Sequence, residues 1–360
     1  MSDIAAALRR RGLEVFSFSG GVLWAIRIGV IVAVVWGATA SILSDRLTLD
    51  QWKALTVFGL AQGSVYALIA LGYTMVYGVL RFINFAHGEV FMAGAMIGFF
   101  VSDGLNRSGL WSAQPALAIL ILLLSTMATS TIVAVLVERI AYRPLRGRPR
   151  LVLLITAIGA SFVLQYSFRG LFGAGVKSYP EVESLQGSWN VAGFAIVKTQ
   201  GVTILIAVLM MILLYAFVEK TRTGRAMRAV SEDQETAELM GINVDRTILT
   251  VFAVGGAMAG VAGTLWGLVF GQVFFFTGFL PGIKAFAAAV LGGIGNIPGA
   301  MLGGLVIGET ESVGPSLVLG GLGVPSAHQL KDVIAFSVLI LVLIFRPTGL
   351  LGERVAEERT

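Results

Sequence analysis

The sequence has no cysteine and only two histidines among its 360 residues. It therefore has no disulfide framework, no thiolate nucleophile, and neither a zinc-thiolate nor a histidine-rich metal site. Charged residues are also scarce, at 13% of the chain, whereas a soluble domain has about 25%. With 56% hydrophobic residues, this composition excludes a soluble globular enzyme. Glycine is abundant instead, with 45 residues, and membrane helices use glycine to bring their backbones close together.

Several functional motifs are missing as well. The chain has no G-x-x-x-x-G-K-[ST] pattern to hold a nucleotide and no G-x-S-x-G pattern of a hydrolase. Carboxylates inside the apolar runs are nearly absent, apart from Glu309 and Glu311. An ion-coupled carrier normally needs buried ionisable groups as its relay. We therefore predict a chain without catalytic residues, and we disfavour both an intramembrane hydrolase and an ion-coupled carrier.

Long apolar runs predict an all-α polytopic membrane protein. The runs long enough to cross a bilayer are 22–43, 54–78, 115–137, 151–172, 201–218, 247–270 and 330–346. A shorter run covers 89–102, and the glycine-broken stretch 281–312 reads as two short spans joined around Asn296, Ile297 and Pro298. The positive-inside rule places the basic clusters 9–11, 139–150, 220–228 and 346–354 in the cytoplasm. Ten crossings satisfy this rule, and eight remain possible, so we expect about 8–10 transmembrane helices with both termini inside.

The apolar runs also suggest how the chain is divided. Residues 1–50 form an N-terminal extension whose apolar run lacks a small-residue cleavage site, so we expect a retained anchor helix. Residues 51–352 form the transmembrane domain, and 353–360 form a cytoplasmic tail. The outer loop 173–200 is too short for a receptor domain. A dilute external solute would thus be recognised by another polypeptide or by a pocket in the membrane.

A polar cluster interrupts the apolar sequence between Gly72 and Gly98. It contains Asn84, His87 and Glu89. Asn84 is either the N-cap of the helix that begins there or part of a pathway. His87 and Glu89 either form a mutual polar contact that pins two helices or line a permeation route.

Glycine patterns mark further sites of close packing. Glycines recur every four positions at Gly59 and Gly63, at Gly263, Gly267 and Gly271, and at Gly295, Gly299 and Gly303. This spacing predicts a stripe on each helix where a neighbouring backbone approaches. The third group lies in AVLGGIGNIPGAMLGGLVIG, which we expect to break its helix at Pro298. Non-helical backbone at membrane depth is tolerated only where it is buried or lines a water-filled path, so this break is a pathway candidate.

The polar stretch EKTRTGRAMRAVSEDQETAELMGINVDR, residues 219–246, predicts a helical element outside the membrane. Ser231 and Gln234 have the spacing of a capping box, and Gly241 suits the position after a helix end. Glu232, Asp233 and Glu235 would favour the positive end of the helix dipole. The element is either a docking site for a partner or a solvated connector. We favour docking, because long structured loops in proteins with short connections are usually functional.

Five segments together resemble one family. They are GSVYALIALGYTMVYGVLRFINFAHGEVFMAGA (63–95), VERIAYRPLR (137–146), GRAMRAVSEDQETAELMGINVDR (224–246), GIKAFAAAVLGGIGNIPGAMLGGLVIGE (282–309) and FRPTGLLG (345–352). The sequence resembles the permease subunits of bacterial ABC importers for branched-chain amino acids, and more narrowly the H-type subunit. The resemblance runs from about residue 54 to 352. The extension 1–50 departs from the family pattern.

The resemblance implies a heteromeric importer in the bacterial inner membrane. Its other parts would be a homologous M-type permease, two cytoplasmic ATPase subunits that bind ATP and Mg, and a periplasmic substrate-binding protein. This chain itself would hold no cofactor and no metal. The loop 219–246 resembles a coupling helix that inserts into the ATPase, which makes Ser231, Glu232, Asp233, Glu235 and Gly241 the expected docking residues.

The resemblance also implies an internal duplication with one broken helix in each half facing the translocation path. Asn84, His87 and Glu89 would belong to one half, and Gly293, Gly295, Asn296 and Pro298 to the other. Similar permeases serve urea, short amides and aromatic acids, and these substrates remain alternatives. An ion-coupled secondary transporter is the alternative from a different class.

Overall fold

The computed structural model describes residues 18–44, 47–191, 193–346 and 348–352. The basic residues 9–11 and the tail 353–360, which includes Arg354, lie outside the described residues. The helices are α1 Phe18–Leu43, α2 Leu49–Leu80, α3 His87–Arg107, α4 Leu110–Ala113, α5 Pro115–Val137, α6 Arg150–Phe172, α7 Lys198–Lys220, α8 Arg222–Glu232, α9 Gln234–Leu239, α10 Val244–Phe270, α11 Phe279–Gly292, α12 Ile297–Gly314 and α13 Lys331–Phe345.

Within the described residues, eight helical segments are long and apolar enough to cross a membrane. They are Trp24–Leu43, Leu49–Leu80, His87–Arg107, Pro115–Leu145, Leu151–Phe172, Lys198–Lys220, Val244–Phe270 and Ala327–Phe345. The prediction of an all-α polytopic membrane protein is thus confirmed, and the run at 89–102 belongs to a helix of full span length. The stretch 281–312 forms the two short helices α11 and α12, as expected.

The chain divides into two compact units. In the smaller unit, α1 packs against a π-helical turn, Pro315–Leu319. A Cβ on Gly37 would meet the backbone of Val318, and the Ser41 hydroxyl donates to the Ser316 carbonyl at 2.8 Å. Large apolar side chains such as Trp24 and Trp36 face outward from α1. A helix of span length therefore lies in the extension, with outward apolar side chains that suit lipid, and its role as an anchor stays a prediction.

The larger unit is a bundle built around α2 and α10. Both helices are largely buried, whereas α5, α6 and α7 expose apolar side chains on their outer faces. Glycine allows the close approaches in this core. A Cβ on Gly63 would lie 2.9 Å from the Cα of Leu305, and one on Gly263 would lie 2.6 Å from the amide nitrogen of Ala95. The predicted stripes therefore bring backbones together at these positions.

Two glycines of the predicted stripes do not pack against a neighbouring helix. Gly271 and Gly295 have φ angles of +67° and +95°, and a Cβ on either would meet open space. Both residues lie just outside helices, in backbone conformations that glycine adopts without steric cost. The prediction of close packing is wrong for these two glycines.

The segments outside the long spans include short strands. They are β1 Lys177–Ser178, β2 Ser188–Val191, β3 Phe194–Val197 and β4 Gln272–Val273. β1 pairs antiparallel with β4, and β2 pairs antiparallel with β3 as a hairpin. The Tyr179 hydroxyl donates to the Ala95 carbonyl at 2.5 Å, and burial raises the pKa of Tyr179 above its ordinary value. The Tyr179 amide also donates to the Gly271 carbonyl at 2.8 Å, so residues 177–179 of the predicted outer loop are tied to α3 and to the end of α10.

Candidate functional site

A cavity of about 240 Å³ lies within the larger unit, between α3, α6 and α11. Its lining is mostly apolar, with Glu89, Ser161 and Gln165 on one side as the main polar groups. The other lining residues are Tyr73, Phe85, Ile158, Phe162, Gly278, Phe279, Gly282 and Ile283. A concave, mostly apolar site with a few convergent polar groups is typical of small-molecule binding.

Two breaks in the helices create this cavity. Residues 81–86 separate α2 from α3, and 271–278 separate α10 from α11. The starts of α3 and α11 then meet, because a Cβ on Gly88 would lie 3.1 Å from the Cα of Gly282. Arg81 begins the first break with a φ of +54°, a conformation that is rare outside glycine. The sequence pattern 72–98 therefore marks a true interruption of the helix.

Glu89 is the predicted path residue that lines the cavity. Its Oε1 accepts hydrogen bonds from Gln165 Nε2 at 2.7 Å and from Ser161 Oγ at 3.4 Å. The side chain is buried in the first turn of α3. Both donors come from α6, a helix that sequence reasoning had not connected with this site. The only signal was that Ser161 and Gln165 are one helical turn apart in an otherwise apolar run.

Asn84 and His87 lie near the cavity but do not line it. Asn84 is not the N-cap of α3: Ala86 holds that position, and no side chain caps the helix. Asn84 Oδ1 instead accepts from the Tyr142 hydroxyl at 2.5 Å. Of the two roles considered for Asn84, the N-cap is therefore excluded, because its oxygen accepts from a buried tyrosine instead.

The buried His87 ring packs edge-on against Tyr73, with centroids 5.0 Å apart. It also lies over Gly72, where any Cβ would collide with the imidazole. Since the hydrogen bonds of Glu89 go to Gln165 and Ser161, the predicted polar contact between His87 and Glu89 is not formed.

The second group of predicted path residues forms a turn between α11 and α12. Gly293 and Gly295 have φ angles of +106° and +95°, and Pro298 lies in the first turn of α12. The helix therefore breaks at 293–296 and not at Pro298, since proline is well tolerated at a helix start. None of Gly293, Gly295, Asn296 and Pro298 lines the cavity at Glu89.

Residues 348–352, which we call the C-terminal segment, pack on this turn. The amides of Leu350 and Leu351 donate to the carbonyls of Leu291 and Gly292 at 2.8 and 3.0 Å. Asn296 Nδ2 donates to the Leu351 carbonyl at 3.0 Å, while its Oδ1 accepts from the Gly299 amide at 2.8 Å. Asn296 thus caps α12 and holds the segment that follows α13.

We expect Asn296→Ala to destabilise the protein by about 1 kcal/mol, because it removes a helix cap. Asn296→Asp keeps the capping oxygen and loses only the donor to Leu351, so it should cost less. Thermal unfolding in detergent measures both variants. Equal losses for alanine and aspartate would show that capping is not the main role of Asn296.

The polar loop 219–246 contains α8 and α9, which meet at Asp233. Asp233 caps α9: its Oδ1 accepts from the Glu235 amide at 3.0 Å and its Oδ2 from the Thr236 hydroxyl at 2.5 Å. The hydrogen bonds from Thr236 hold the pKa of Asp233 below its ordinary value. The expected capping box at Ser231 is wrong, because Ser231 lies in the last turn of α8 and donates to the Arg228 carbonyl.

Gly241 ends α9 as predicted. It has a φ of +83°, and its amide donates to the Glu238 carbonyl at 2.9 Å. The Ile242 amide donates to the Ala237 carbonyl at 3.0 Å. These two bonds are those of a Schellman motif, which requires a left-handed residue at this position.

The helix pair α8 and α9 is attached to the C-terminal end of α2, where the break 81–86 begins. Arg81 Nη2 donates to the Ser231 carbonyl at 2.6 Å, and Gln234 Nε2 donates to the Val79 carbonyl at 2.7 Å. Next to the C-terminal glycine, Leu239 and Met240 are 87% and 78% exposed. Sequence reasoning missed this apolar pair, although its position in a polar loop was a readable signal.

A buried ionic cluster lies elsewhere in the larger unit. Lys284 Nζ is 2.5 Å from Glu311 Oε1 and 2.6 Å from Asp332 Oδ1. Glu311 stands out in the sequence as a carboxylate in an apolar run, but its partner does not, because Lys284 lies in an apolar run of a different helix. Among the described residues, no group of three or more histidine or acidic side chains is placed to hold a metal ion.

A bundle of apolar spans, interrupted around a small cavity, defines a polytopic membrane transport protein. The family described as branched-chain amino acid transport system, permease component, matches residues 55–343. The chain belongs to this family.

Three relatives illustrate the likeness. The high-affinity branched-chain amino acid transport system permease protein BraD of Pseudomonas aeruginosa is 44% identical over 84% of this chain and 96% of its own length. The permease protein LivH of Salmonella typhimurium is 42% identical over 83% of this chain and 95% of its own length. LivH of Escherichia coli K12 is 41% identical with the same coverage.

Proposed function

We propose that this chain is the permease subunit of an ATP-driven importer of branched-chain amino acids. The observation that carries the proposal is the 41–44% identity to BraD and LivH over nearly their whole length. The cavity at Glu89 supports it, because apolar walls suit an aliphatic side chain and the polar side suits a charged head group. The chain performs no covalent chemistry and needs no cofactor of its own.

The partners follow from the same proposal. A homologous M-type permease completes the translocation path, two ATPase subunits bind ATP and Mg in the cytoplasm, and a periplasmic protein delivers the amino acid. The chain lies in the inner membrane with both termini in the cytoplasm, which places α8 and α9 on the side of the ATPases. Exposed Leu239 and Met240 are then the apolar anchors for an ATPase groove, with Glu232 and Glu235 exposed beside them.

A continuous set of contacts supports a coupling route from this surface to the cavity. Arg81 and Gln234 join the helix pair to the inner end of α2. The break 81–86 follows at once and leads into the first turn of α3, which carries Glu89. A rigid movement of α8 and α9 would therefore act on the break and change the access to the cavity. ATP binding and hydrolysis in the partners would drive this alternating access.

The path assignment of the remaining predicted residues follows from their places. Asn84 and His87 pack at the break 81–86 beside the cavity. We therefore assign them to the part of the path that moves with this break. The turn between α11 and α12 is packed against residues 348–352. We assign the predicted residues of this turn to the cytoplasmic end of the path in the second half of the duplication. They are Gly293, Gly295, Asn296 and Pro298.

Competition for uptake tests the substrate. The assembled complex in vesicles, with its binding protein, is offered labelled leucine against unlabelled valine, urea, acetamide and benzoate. We expect valine to compete and the others to leave leucine uptake unchanged. If urea, acetamide or benzoate competed effectively, the protein would still be a permease, but the competing compound and not leucine would identify its substrate class.

Gln234→Ala is expected to lower leucine uptake several-fold while the complex still assembles, because it removes the hydrogen bond to the Val79 carbonyl. Gln114→Ala is the matched control: it removes an exposed glutamine side chain before α5, outside the loop 219–246. Uptake and ATP hydrolysis are measured together, and the ratio of leucine moved to ATP hydrolysed should fall for Gln234→Ala alone. An unchanged ratio would remove this contact from the coupling route.

A further inference from the structure

The carboxylate of Glu89 is buried without a cationic partner. The side chain is 1% exposed, and no ion pair among the described residues includes it. Its hydrogen bonds come from two neutral donors, and both go to Oε1. Oε2 has no hydrogen-bond partner among the described residues. Burying a charge without compensation is costly, and ionisable residues within membrane spans usually mark substrate or ion pathways.

The unpartnered oxygen lies at the start of α11. A Cβ built on Gly278 would be 2.8 Å from Glu89 Oε2. Gly278 occupies the N-cap position of α11, and no side chain caps this helix. In the first turn of α11 the Phe279 amide donates to the Phe276 carbonyl at 3.2 Å and Pro281 has no N–H, so the helix dipole supplies most of the partial positive charge at this end. Gly278, Phe279 and Gly282 line the cavity, which therefore has an acidic group and a positive helix end close to each other.

The remaining walls suit an aliphatic group. Phe85, Ile158, Phe162 and Ile283 contribute apolar surface to the same cavity. The volume of about 240 Å³ is below the 300–1,000 Å³ typical of sites for drug-sized ligands, so the cavity selects small solutes.

We infer that Glu89 receives the α-ammonium group of the transported amino acid, while the start of α11 receives its α-carboxylate. This inference rests on the proposed function and adds the basis of recognition. An ammonium has three donors, and its hydrogen bonds to a carboxylate are charge-assisted. Urea, amides and aromatic acids have no cationic group at neutral pH, so the cavity would discriminate against them.

Cysteine labelling inside the cavity tests the inference without relying on the binding protein's selectivity. Because the chain has no cysteine of its own, Ile283→Cys gives this chain one reactive site at a half-buried position of the cavity wall. The full complex is treated with a membrane-permeant maleimide, and labelling of this chain is followed by mass. The probes are leucine, 3-methylbutylamine, which lacks the carboxylate, and 4-methylpentanoate, which lacks the amine. Phe85→Cys, at the half-buried position before α3, is a second reporter.

We expect leucine to slow labelling most, the amine to slow it less and the acid to slow it least, because the acid leaves the buried Glu89 carboxylate without a cation. Glu89→Gln should raise the half-protecting concentration of leucine by about 30-fold or more, because it removes a buried charge pair. Glu309→Gln is the matched control. Glu309 is a carboxylate of α12 that packs against Gly59, outside the cavity lining, so this variant should keep the protection by leucine.

Equal protection by the acid and the amine would overturn the inference, as would unchanged protection in Glu89→Gln or no protection at either reporter. Leucine uptake by the same wild-type preparation separates this result from the proposed function. Uptake without amine-dependent protection removes the role of Glu89 alone. Amine-dependent protection without leucine uptake supports the ammonium site and removes the branched-chain amino acid as substrate.

Discussion

Lys284→Met is expected to destabilise the protein by about 3–5 kcal/mol, the typical cost of removing one partner from a buried ion pair. Lys284 lies between the carboxylates of Glu311 and Asp332, and Glu311 is fully buried. Without the ammonium, two acidic groups from α12 and α13 face each other with no cation between them. Unfolding in a detergent–SDS titration measures the free energy directly.

Removing the opposing charge should recover much of this loss. In the double variant Lys284→Met with Glu311→Met, apolar side chains replace the pair, and such replacements are often neutral. Lys220→Met, at the exposed end of α7, is the control for loss of a lysine and should have little effect. If Lys284→Met were as stable as the wild type, the cluster would not hold α11, α12 and α13 together.

Leu239→Asp and Met240→Asp are each expected to weaken association with the ATPase by at least about 30-fold and to abolish uptake. Central apolar anchors at interfaces typically contribute about 2 kcal/mol or more, and every 1.4 kcal/mol is about tenfold in affinity. The two side chains are highly exposed at the end of α9, so the substitution does not disturb the core. Co-purification of the ATPase with the tagged permease measures the association.

The control keeps the anchors apolar. Leu239→Met and Met240→Leu preserve volume and hydrophobicity, and both variants should bind the ATPase and transport normally. Normal association of the aspartate variants would show that Leu239 and Met240 do not dock the ATPase. Loss of the folded permease itself, detected by gel filtration, would show that the pair has a structural role.

Much of the fold could be predicted because apolar length and charge placement constrain a membrane chain strongly. The runs ending near 43, 78, 172 and 270 became helices within a few residues of their expected bounds. The glycine-rich stretch 281–312 forms two short helices as expected, although the break lies at 293–296 and not at Pro298. Gly241 ended its helix as predicted, since few residues besides glycine adopt a positive φ there.

The errors arose where a distant residue competed with a local rule. Asn84 would suit a cap, but Tyr142 from another helix takes its oxygen. Ser231 and Gln234 have capping-box spacing, but Asp233 begins the helix and Gln234 reaches back to Val79. Spacing along the chain contains no information on such partners.

The candidate site was predicted in part for the same reason. In the sequence, Glu89 stands out as a polar residue between two apolar runs. In the structure, Glu89 lines the cavity. It did not connect Glu89 with Gln165 and Ser161, which lie more than seventy residues away along the chain. The pairing of Lys284 with Glu311 was also hidden, because an ion pair across two helices has no local signature in the sequence.

The central claim is that ATP drives branched-chain amino acids through this chain, and energised uptake tests it most directly. Liposomes with the complete complex receive ATP on the side of α8 and α9 and the leucine-loaded binding protein on the other. We predict leucine accumulation that requires hydrolysable ATP and persists when ionophores dissipate all ion gradients. Accumulation without ATP that ionophores abolish would contradict the account and identify an ion-coupled transporter.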